Sequence, residues 1–173
     1  FSIATLFTKE DKGPLSIDIN TLQSELLLNN ANWKLEKSHI QIQQGMYAVD
    51  NFRVYNEDGS QEVKINGKYS TKNTNDILKA ELKNINLQYI FETLAIDALQ
   101  FGGEATGNLF VSTIENKPYA NTRLQISDFK FNGTDLGNLS LFSELDEKTN
   151  LVMLDGLINS KENKQTNVDG TLD

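Results

Sequence analysis

Hydrophobic residues recur at every second position through most of the chain, and this alternation constrains the fold more than any other feature. From Leu15 to Asn20, leucine and isoleucine alternate with serine, aspartate and asparagine. The same period of two appears in four further segments: 40–42, 63–69, 124–126 and 139–145. Successive side chains of a strand point to opposite faces of the sheet, so each pattern indicates a strand with one apolar face. We therefore predict an all-β chain.

Short polar segments rich in Asn, Asp, Gly and Lys separate these strands. They cover 56–60, 70–76, 114–118, 131–137, 146–150 and 160–165. Asn, Asp and Gly tolerate positive φ angles and satisfy local backbone groups, so they are typical of turns. Strands joined by such short turns predict a long antiparallel meander.

Glycines and a phase change indicate that the predicted sheet is strongly curved. Gly102, Gly103 and Gly107 lie inside a strand pattern, where glycine usually marks a bend. The apolar phase shifts by one residue between Ile126 and Phe129, so we predict a bulge near residues 127–128. Two architectures fit these observations equally well. One is a U-shaped trough, and the other is a two-sheet β-sandwich with a packed apolar interior.

One segment departs from the alternation. Leu87, Ile90, Phe91 and Leu94 follow helical spacing, and Asn86 is suited to cap the N-terminus of a helix. The pattern predicts one short helix near 86–96, packed at one end of the sheet.

Composition excludes several classes of function. The net charge of −8, with 16 basic and 24 acidic residues, disfavours binding to nucleic acid or to anionic lipid headgroups. The chain has no cysteine, so disulfides, thiolate metal sites and cysteine nucleophiles are impossible. The single histidine, His39, shares a polar strand face with Gln41 and Gln43 and has no visible catalytic partner. We predict a protein that is not an enzyme and that uses no cofactor or metal.

The remaining motifs are weak. The glycine-rich segment 102–107 lacks the following helix that a phosphate loop needs. Adjacent acidic residues at 10–11, 57–58 and 146–147 lie in predicted turns. The tripeptides that begin at Asn132 and Asn138 fit the N-glycosylation pattern, which occurs often by chance in an Asn-rich chain. Trp33 shares its phase with Leu35, which favours a core position over a sugar platform.

Several segments resemble a module of the large TamB-type proteins, part of the AsmA-like group, from Bacteroidetes-like bacteria. "ANWKLEKSHIQI" (31–42) precedes "VDNFRVYNEDGSQEVKINGKYS" (49–70), in which a strand ends in a hydrophobic-x-hydrophobic-x-Gly pattern. "ELKNINLQYIFETL" (81–94) is similar to the strand and short helix of that module. The segment 102–146 and the final "NVDGTLD" are similar to its later strands.

This resemblance implies a periplasmic protein of outer-membrane biogenesis. The family forms a long U-shaped β-sheet trough (β-taco-like) with an apolar lining and is anchored to the inner membrane of Gram-negative bacteria. It transfers phospholipid between membranes and supports outer-membrane protein assembly with a barrel partner. By this resemblance, residues 1–173 are one β-rich fragment of a longer repetitive protein. Its two modules, 15–85 and 99–173, would be joined by the short helix.

In such a trough the apolar strand residues would contact acyl chains. We expect the lining to include Ile65, Leu82, Leu109, Val111, Leu124, Ile126, Leu139 and Leu141. Edge strands of a fragment would also promote edge-to-edge association between copies. The alternative function is an extracellular or cell-surface β-domain that binds protein or glycan.

Overall fold

In the described residues, thirteen strands form one antiparallel sheet that is not closed into a barrel, and most of these residues lie in strands. The computed structural model describes residues 3–9, 15–28, 30–89, 100–114, 117–146, 149, 151–162 and 164–172, without the side chains of residues 3 and 172. The strands are β1 (Ile3–Lys9), β2 (Leu15–Thr21), β3 (Ser24–Leu28), β4 (Ala31–Leu35), β5 (Ser38–Gln43), β6 (Met46–Asn56), β7 (Glu62–Ser70), β8 (Leu78–Asn86), β9 (Phe101–Ile114), β10 (Lys117–Phe131), β11 (Thr134–Asp146), β12 (Leu151–Asn159) and β13 (Gln165–Leu172).

The strand order follows the chain with one exception. The main path is β1-β2-β5-β6-β7-β8-β9-β10-β11-β12-β13, and the β3–β4 hairpin is attached through β4 to the far half of β6. β5 pairs with Met46–Asp50 of β6, while β4 pairs with Val54–Asn56. The predicted one-sheet meander is therefore confirmed, and the described strands do not form the two sheets of a sandwich.

The chain divides into two compact units. Unit 1 comprises Phe1–Glu81 and Phe110–Tyr119, and unit 2 comprises Leu82–Leu109 and Ala120–Asp173. β8, β9 and β10 each contribute residues to both units. The two modules predicted from the family resemblance, 15–85 and 99–173, stay a prediction.

Backbone irregularities occur inside three strands, where Asn51, Asn84 and Asp128 have φ angles of 56°, 48° and 48°. Asn and Asp adopt this left-handed conformation more readily than other residues with side chains. The β10–β11 register shifts between Ile126 and Phe129, so the predicted bulge near 127–128 is confirmed. A similar shift separates Val49 from Phe52 in β6.

The same type of hydrogen bond, from a backbone amide to a side chain of the next strand, supports each of these irregularities. The backbone amide of Asn51 donates to the side-chain oxygen of Asn66, 3.2 Å away on the next strand. The amides of Asn84 and Asp128 donate in the same way to Thr106 (2.9 Å) and Asn138 (3.2 Å). A side chain of the following strand thus satisfies a backbone group that the ladder leaves unpaired.

Residues 87–89 are helical, directly after β8. The Asn86 side-chain oxygen accepts a hydrogen bond from the Gln88 amide, as expected of the predicted N-cap. The rest of the predicted helix, 90–96, lies outside the described residues.

Candidate functional site

The apolar face of unit 1 is built from paired isoleucines and valines on neighbouring strands. Ile19 of β2 lies opposite Ile40 of β5, which lies opposite Val49 of β6. Ile17 and Ile42 form the next row, and Phe52 of β6 lies opposite Ile65 of β7. We call this surface the unit-1 apolar face; its members are Ile17, Ile19, Ile40, Ile42, Val49, Phe52 and Ile65.

Most side chains of the unit-1 apolar face are only half-buried. Val49 is buried, and the other six members retain intermediate exposure. Tyr47, in the same row as Ile42, is 46% exposed, and Phe7 of β1 is 65% exposed. Among the described residues this face therefore has apolar side chains that the protein does not cover completely.

The β3–β4 hairpin extends this face. Leu35 of β4 is buried opposite Val54, and Trp33 lies two residues away on the same side of the strand. Trp33 is half-buried, consistent with the predicted apolar phase. Leu26, opposite Trp33 on β3, adds a further apolar side chain.

The opposite face of unit 1 is polar. Its single histidine, His39, lies between two carboxylates: Nε2 is 3.2 Å from Asp18 and Nδ1 is 3.6 Å from Asp50. Gln41 also donates to Asp18. Both ring nitrogens of His39 therefore face carboxylates, and within the described residues neither is hydrogen-bonded to a serine, threonine or tyrosine hydroxyl.

A charged network links Glu36, directly after β4, to β6 and β7 on this polar face. Arg53 donates through Nε to Glu62 (2.5 Å) and through Nη1 to Glu36 (2.6 Å), and Lys64 pairs with the other Glu62 oxygen (2.8 Å). Hydrogen bonding from Lys64, and then from Arg53, lowers the pKa of Glu62 despite its partial burial. Glu62 and then Glu36 raise the pKa of Arg53.

Unit 2 contains a packed apolar cluster. Ala105, Leu124, Ile126, Phe129 and Leu139 are buried, and Ala105 is fully inaccessible. Seven partly buried residues pack around them: Leu82, Leu87, Phe101, Leu109, Leu136, Leu141 and Ile158. Two cross-strand pairs form the centre of this apolar cluster: Leu124 lies opposite Leu141, and Ile126 lies opposite Leu139. We call these twelve residues the unit-2 cluster.

The structure brings six of the eight predicted lining residues into the unit-2 cluster: Leu82, Leu109, Leu124, Ile126, Leu139 and Leu141. Ile65 belongs instead to the unit-1 apolar face, opposite Phe52. Val111 lies in the unit-1 part of β9 and is half-buried, two residues before the buried Thr113. Whether any of the eight contacts lipid stays a prediction.

The polar face of unit 2 has a shallow depression of about 480 Å³. The Arg123 guanidinium lies over the ring of Phe142, 5.3 Å from its centre. Ser140 Oγ donates a hydrogen bond to Gln125 Oε1 at 2.8 Å. Asp155 and Asp169 lie directly opposite each other on β12 and β13. The depression combines one aromatic ring with side chains that donate and accept hydrogen bonds.

The weaker sequence motifs have structural roles. The segment 102–107 lies inside β9. The asparagine of the first glycosylation tripeptide, Asn132, is in a turn with a φ of 47° and accepts a bond from the Gln100 amide. The second, Asn138, supports the irregularity at Asp128. In the part of the chain that the structure describes, no three His, Asp or Glu side chains are placed to hold a metal ion.

Sequence reasoning missed the Arg53 network and the β3–β4 branch. Arg53, Glu36 and Glu62 are separated along the chain, and only the β4–β6–β7 pairing brings them together. The sequence contains one sign of this arrangement: the apolar phase of β6 changes between Val49 and Phe52, as the phase of β10 changes at its bulge.

The chain matches no protein-family model, no curated protein and no solved structure. None of the described helical residues forms a helix long and apolar enough to cross a membrane. The resemblance to TamB-type proteins stays a prediction.

Proposed function

We propose that this chain is a non-catalytic part of a periplasmic outer-membrane biogenesis protein. Its apolar side chains shield phospholipid acyl chains from water, and the full protein supports outer-membrane protein assembly with a barrel partner. The observation that carries the proposal is the contrast between the two faces of the sheet. Half-buried isoleucines line one face of unit 1, while the opposite face carries His39, Asp18 and the Arg53 network.

An incompletely covered apolar face suits acyl chains for an energetic reason. Each CH₂ group removed from water contributes about 0.8 kcal/mol, so even one chain laid along the isoleucines would gain several kcal/mol. Chain contacts of this kind need no fixed polar group and tolerate different headgroups. The protein's net charge of −8 also favours binding through the acyl chains of the lipid over electrostatic attraction to anionic headgroups.

Co-purification provides the first test. The protein is expressed in a bacterial host, purified without detergent, examined by native mass spectrometry and extracted with organic solvent. We expect phospholipid in the extract and a matching mass increment in the native spectrum. Protein that is free of lipid, and that does not take up lipid when mixed with short-chain phosphatidylcholine, would contradict the proposal.

Trp33 offers a second readout, because it is the only tryptophan and lies on the same side as Leu35. Phospholipids with brominated acyl chains quench tryptophan only on close approach. We expect quenching of Trp33 by the brominated lipid and none by the same lipid without bromine. Equal fluorescence with both lipids would argue against acyl chains at this end of the face.

Two variants that each introduce a carboxylate test the two faces of unit 1 separately. Ile40→Glu places a carboxylate in the centre of the unit-1 apolar face, and Gln43→Glu places one on the polar face of the same strand, opposite Ser16. We expect Ile40→Glu to reduce bound lipid at least about tenfold, because burying a charge beside acyl chains is costly. Gln43→Glu should retain lipid. Circular dichroism of both variants distinguishes loss of binding from loss of fold.

A second function is supported by the polar depression of unit 2. Arg123, Gln125, Phe142 and Asn167 combine a ring with planar hydrogen-bonding groups, as protein and glycan binding sites do. A cell-surface binding domain would use this face and not the isoleucines. Binding to a glycan array that Phe142→Ala abolishes, with lipid absent throughout, would favour this function over the first.

A further inference from the structure

Two tyrosines, Tyr47 of β6 and Tyr69 of β7, lie directly opposite each other at one end of the unit-1 apolar face. Their ring centres are 6.1 Å apart, and the ring planes are tilted by 34°. Tyr47 is exposed and Tyr69 is half-buried. We call these two residues the tyrosine pair. Among the described residues, neither phenolic hydroxyl is hydrogen-bonded to the protein, so both can bind a ligand.

The tyrosine pair ends a continuous row of apolar side chains that crosses five strands. Ile42 of β5 lies opposite Tyr47, Ile17 of β2 lies opposite Ile42, and Phe7 of β1 lies opposite Ile17. Neighbouring strands are about 4.8 Å apart, so the row extends for about 19 Å. It therefore has phenolic hydroxyls at one end and the exposed ring of Phe7 at the other.

The surface becomes polar beyond the tyrosine pair. Two residues further along the two strands are Gly45 and Thr71, which join the β5–β6 turn to the end of β7. The Thr71 amide donates to the Gly45 carbonyl at 2.8 Å, and the Thr71 hydroxyl donates to the same oxygen at 3.4 Å. A tyrosine suits such a boundary, because its ring covers apolar surface while its hydroxyl forms hydrogen bonds with polar groups.

We propose that the tyrosine pair binds the polar end of a phospholipid whose acyl chain lies on the unit-1 apolar face. The two hydroxyls donate hydrogen bonds to the ester carbonyl and phosphate oxygens, and the chain follows the row over Ile42 and Ile17 towards Phe7. Hydroxyl donors carry no charge, so they bind these oxygens in any phospholipid headgroup class. This inference rests on the proposed lipid-binding function and adds the orientation of the bound lipid.

Removal of the two hydroxyls tests the assignment while the rings remain. The double variant Tyr47→Phe/Tyr69→Phe keeps the apolar row, and Tyr55→Phe is the matched control because Tyr55 lies beside Arg53 on the polar face. Each protein is titrated with short-chain phosphatidylcholine and, separately, with diphenylhexatriene, a hydrocarbon fluorophore without hydrogen-bonding groups. We expect the double variant to bind phosphatidylcholine at least about tenfold more weakly, for the loss of two hydrogen bonds, and to bind the hydrocarbon unchanged. Tyr55→Phe should bind both probes as the unmodified protein does.

The possible results separate this inference from the proposed function. If the unmodified protein binds neither probe, both are wrong. If the double variant binds phosphatidylcholine as tightly as the unmodified protein does, the role of the tyrosine pair is wrong, while lipid binding by the unit-1 apolar face stands. Equal losses of phosphatidylcholine and diphenylhexatriene would also overturn the inference, because the hydroxyls would then support the face itself and not a headgroup.

Spin-labelled lipids test the orientation in the unmodified protein. One phosphatidylcholine carries a nitroxide on its headgroup, and a second carries it near the end of an acyl chain. A nitroxide broadens the NMR signals of nearby protons. We expect the headgroup label to broaden the ring signals of the tyrosine pair more than the methyl signals of Ile17, and the chain-end label to do the reverse. The opposite pattern, or equal broadening of both sites by both labels, would overturn the inference.

Discussion

The two units use similar strands but bury them differently. In unit 2, five apolar side chains are buried in one cluster that includes the fully inaccessible Ala105. In unit 1, the isoleucines of β2 and β5 stay half-buried, and the most deeply buried side chains include the hydroxyl residues Thr21, Ser38 and Thr113. The difference indicates that side-chain packing stabilises unit 2. Buried hydroxyl residues also occur in unit 2, at Thr122 and Ser143, so the units differ in how completely their apolar side chains are covered and not in their buried polar groups.

The cost of crowding the backbone should be the same in both units, and glycine substitutions test this expectation. A Cβ at Gly67 in unit 1 would overlap the Ile77 carbonyl, and a Cβ at Gly137 in unit 2 would overlap the Asn159 carbonyl. Both glycines also have positive φ angles. We expect Gly67→Ala and Gly137→Ala each to cost about 3 kcal/mol of unfolding free energy, measured in urea. Gly170→Ala, the control, should change stability by less than about 0.5 kcal/mol, because a Cβ at Gly170 would meet nothing within 4 Å.

Truncation of matched isoleucines should show the difference directly. Ile126→Ala removes a buried side chain from the unit-2 cluster and should cost about 3 kcal/mol, because it leaves a cavity. Ile40→Ala, on the unit-1 apolar face, should cost about 1 kcal/mol, because its surroundings are already partly open. Equal losses in urea denaturation would show that the unit-1 apolar face is packed as tightly as the unit-2 cluster.

The hydroxyl pair of unit 1 provides the next test. Thr21 Oγ1 lies 2.7 Å from Ser38 Oγ and also accepts a hydrogen bond from the Ser38 amide at 2.9 Å. Thr21→Val keeps the shape but leaves these buried groups without a partner, so we expect a loss of about 1–2 kcal/mol. Thr21→Ser, which retains the hydroxyl, should lose less. If valine is tolerated as well as serine, polar contacts are not what stabilises this part of unit 1.

The smallest expected effect concerns pH. The lowered pKa of Glu62 means that its ionised form is favoured by folding, so its contribution is present above the unfolded-state pKa and is lost as the pH falls through the folded-state value. Glu62→Gln should lower stability near neutral pH by about 1 kcal/mol, an amount limited by solvent screening. It should also reduce the loss of stability between about pH 6 and about pH 3. Parallel curves for the variant and the unchanged protein would contradict this.

The strands were predictable because their pattern is local. A period of two identifies a strand and its apolar face within a few residues, and the phase change after Ile126 indicated the β10 bulge. The contrast between the units was not predictable in this way. Whether Ile40 and Ile126 are half-buried or buried depends on side chains from other strands, and both lie in the same alternating pattern. The Arg53 network likewise depends on the pairing of β6 with β4, a strand that does not directly precede it in the chain.

The strand order has a consequence for how the chain folds. Apart from the β3–β4 insertion, each strand of the main path pairs with its neighbours in sequence, so most contacts span one turn. Sheets built from distant strands fold slowly, because long loops must close before any contact forms. In this chain each new strand can pair with the hairpin that has already formed, so the sheet can grow strand by strand, as in repeat proteins. We therefore expect refolding to be faster than that of a β-sandwich of similar length.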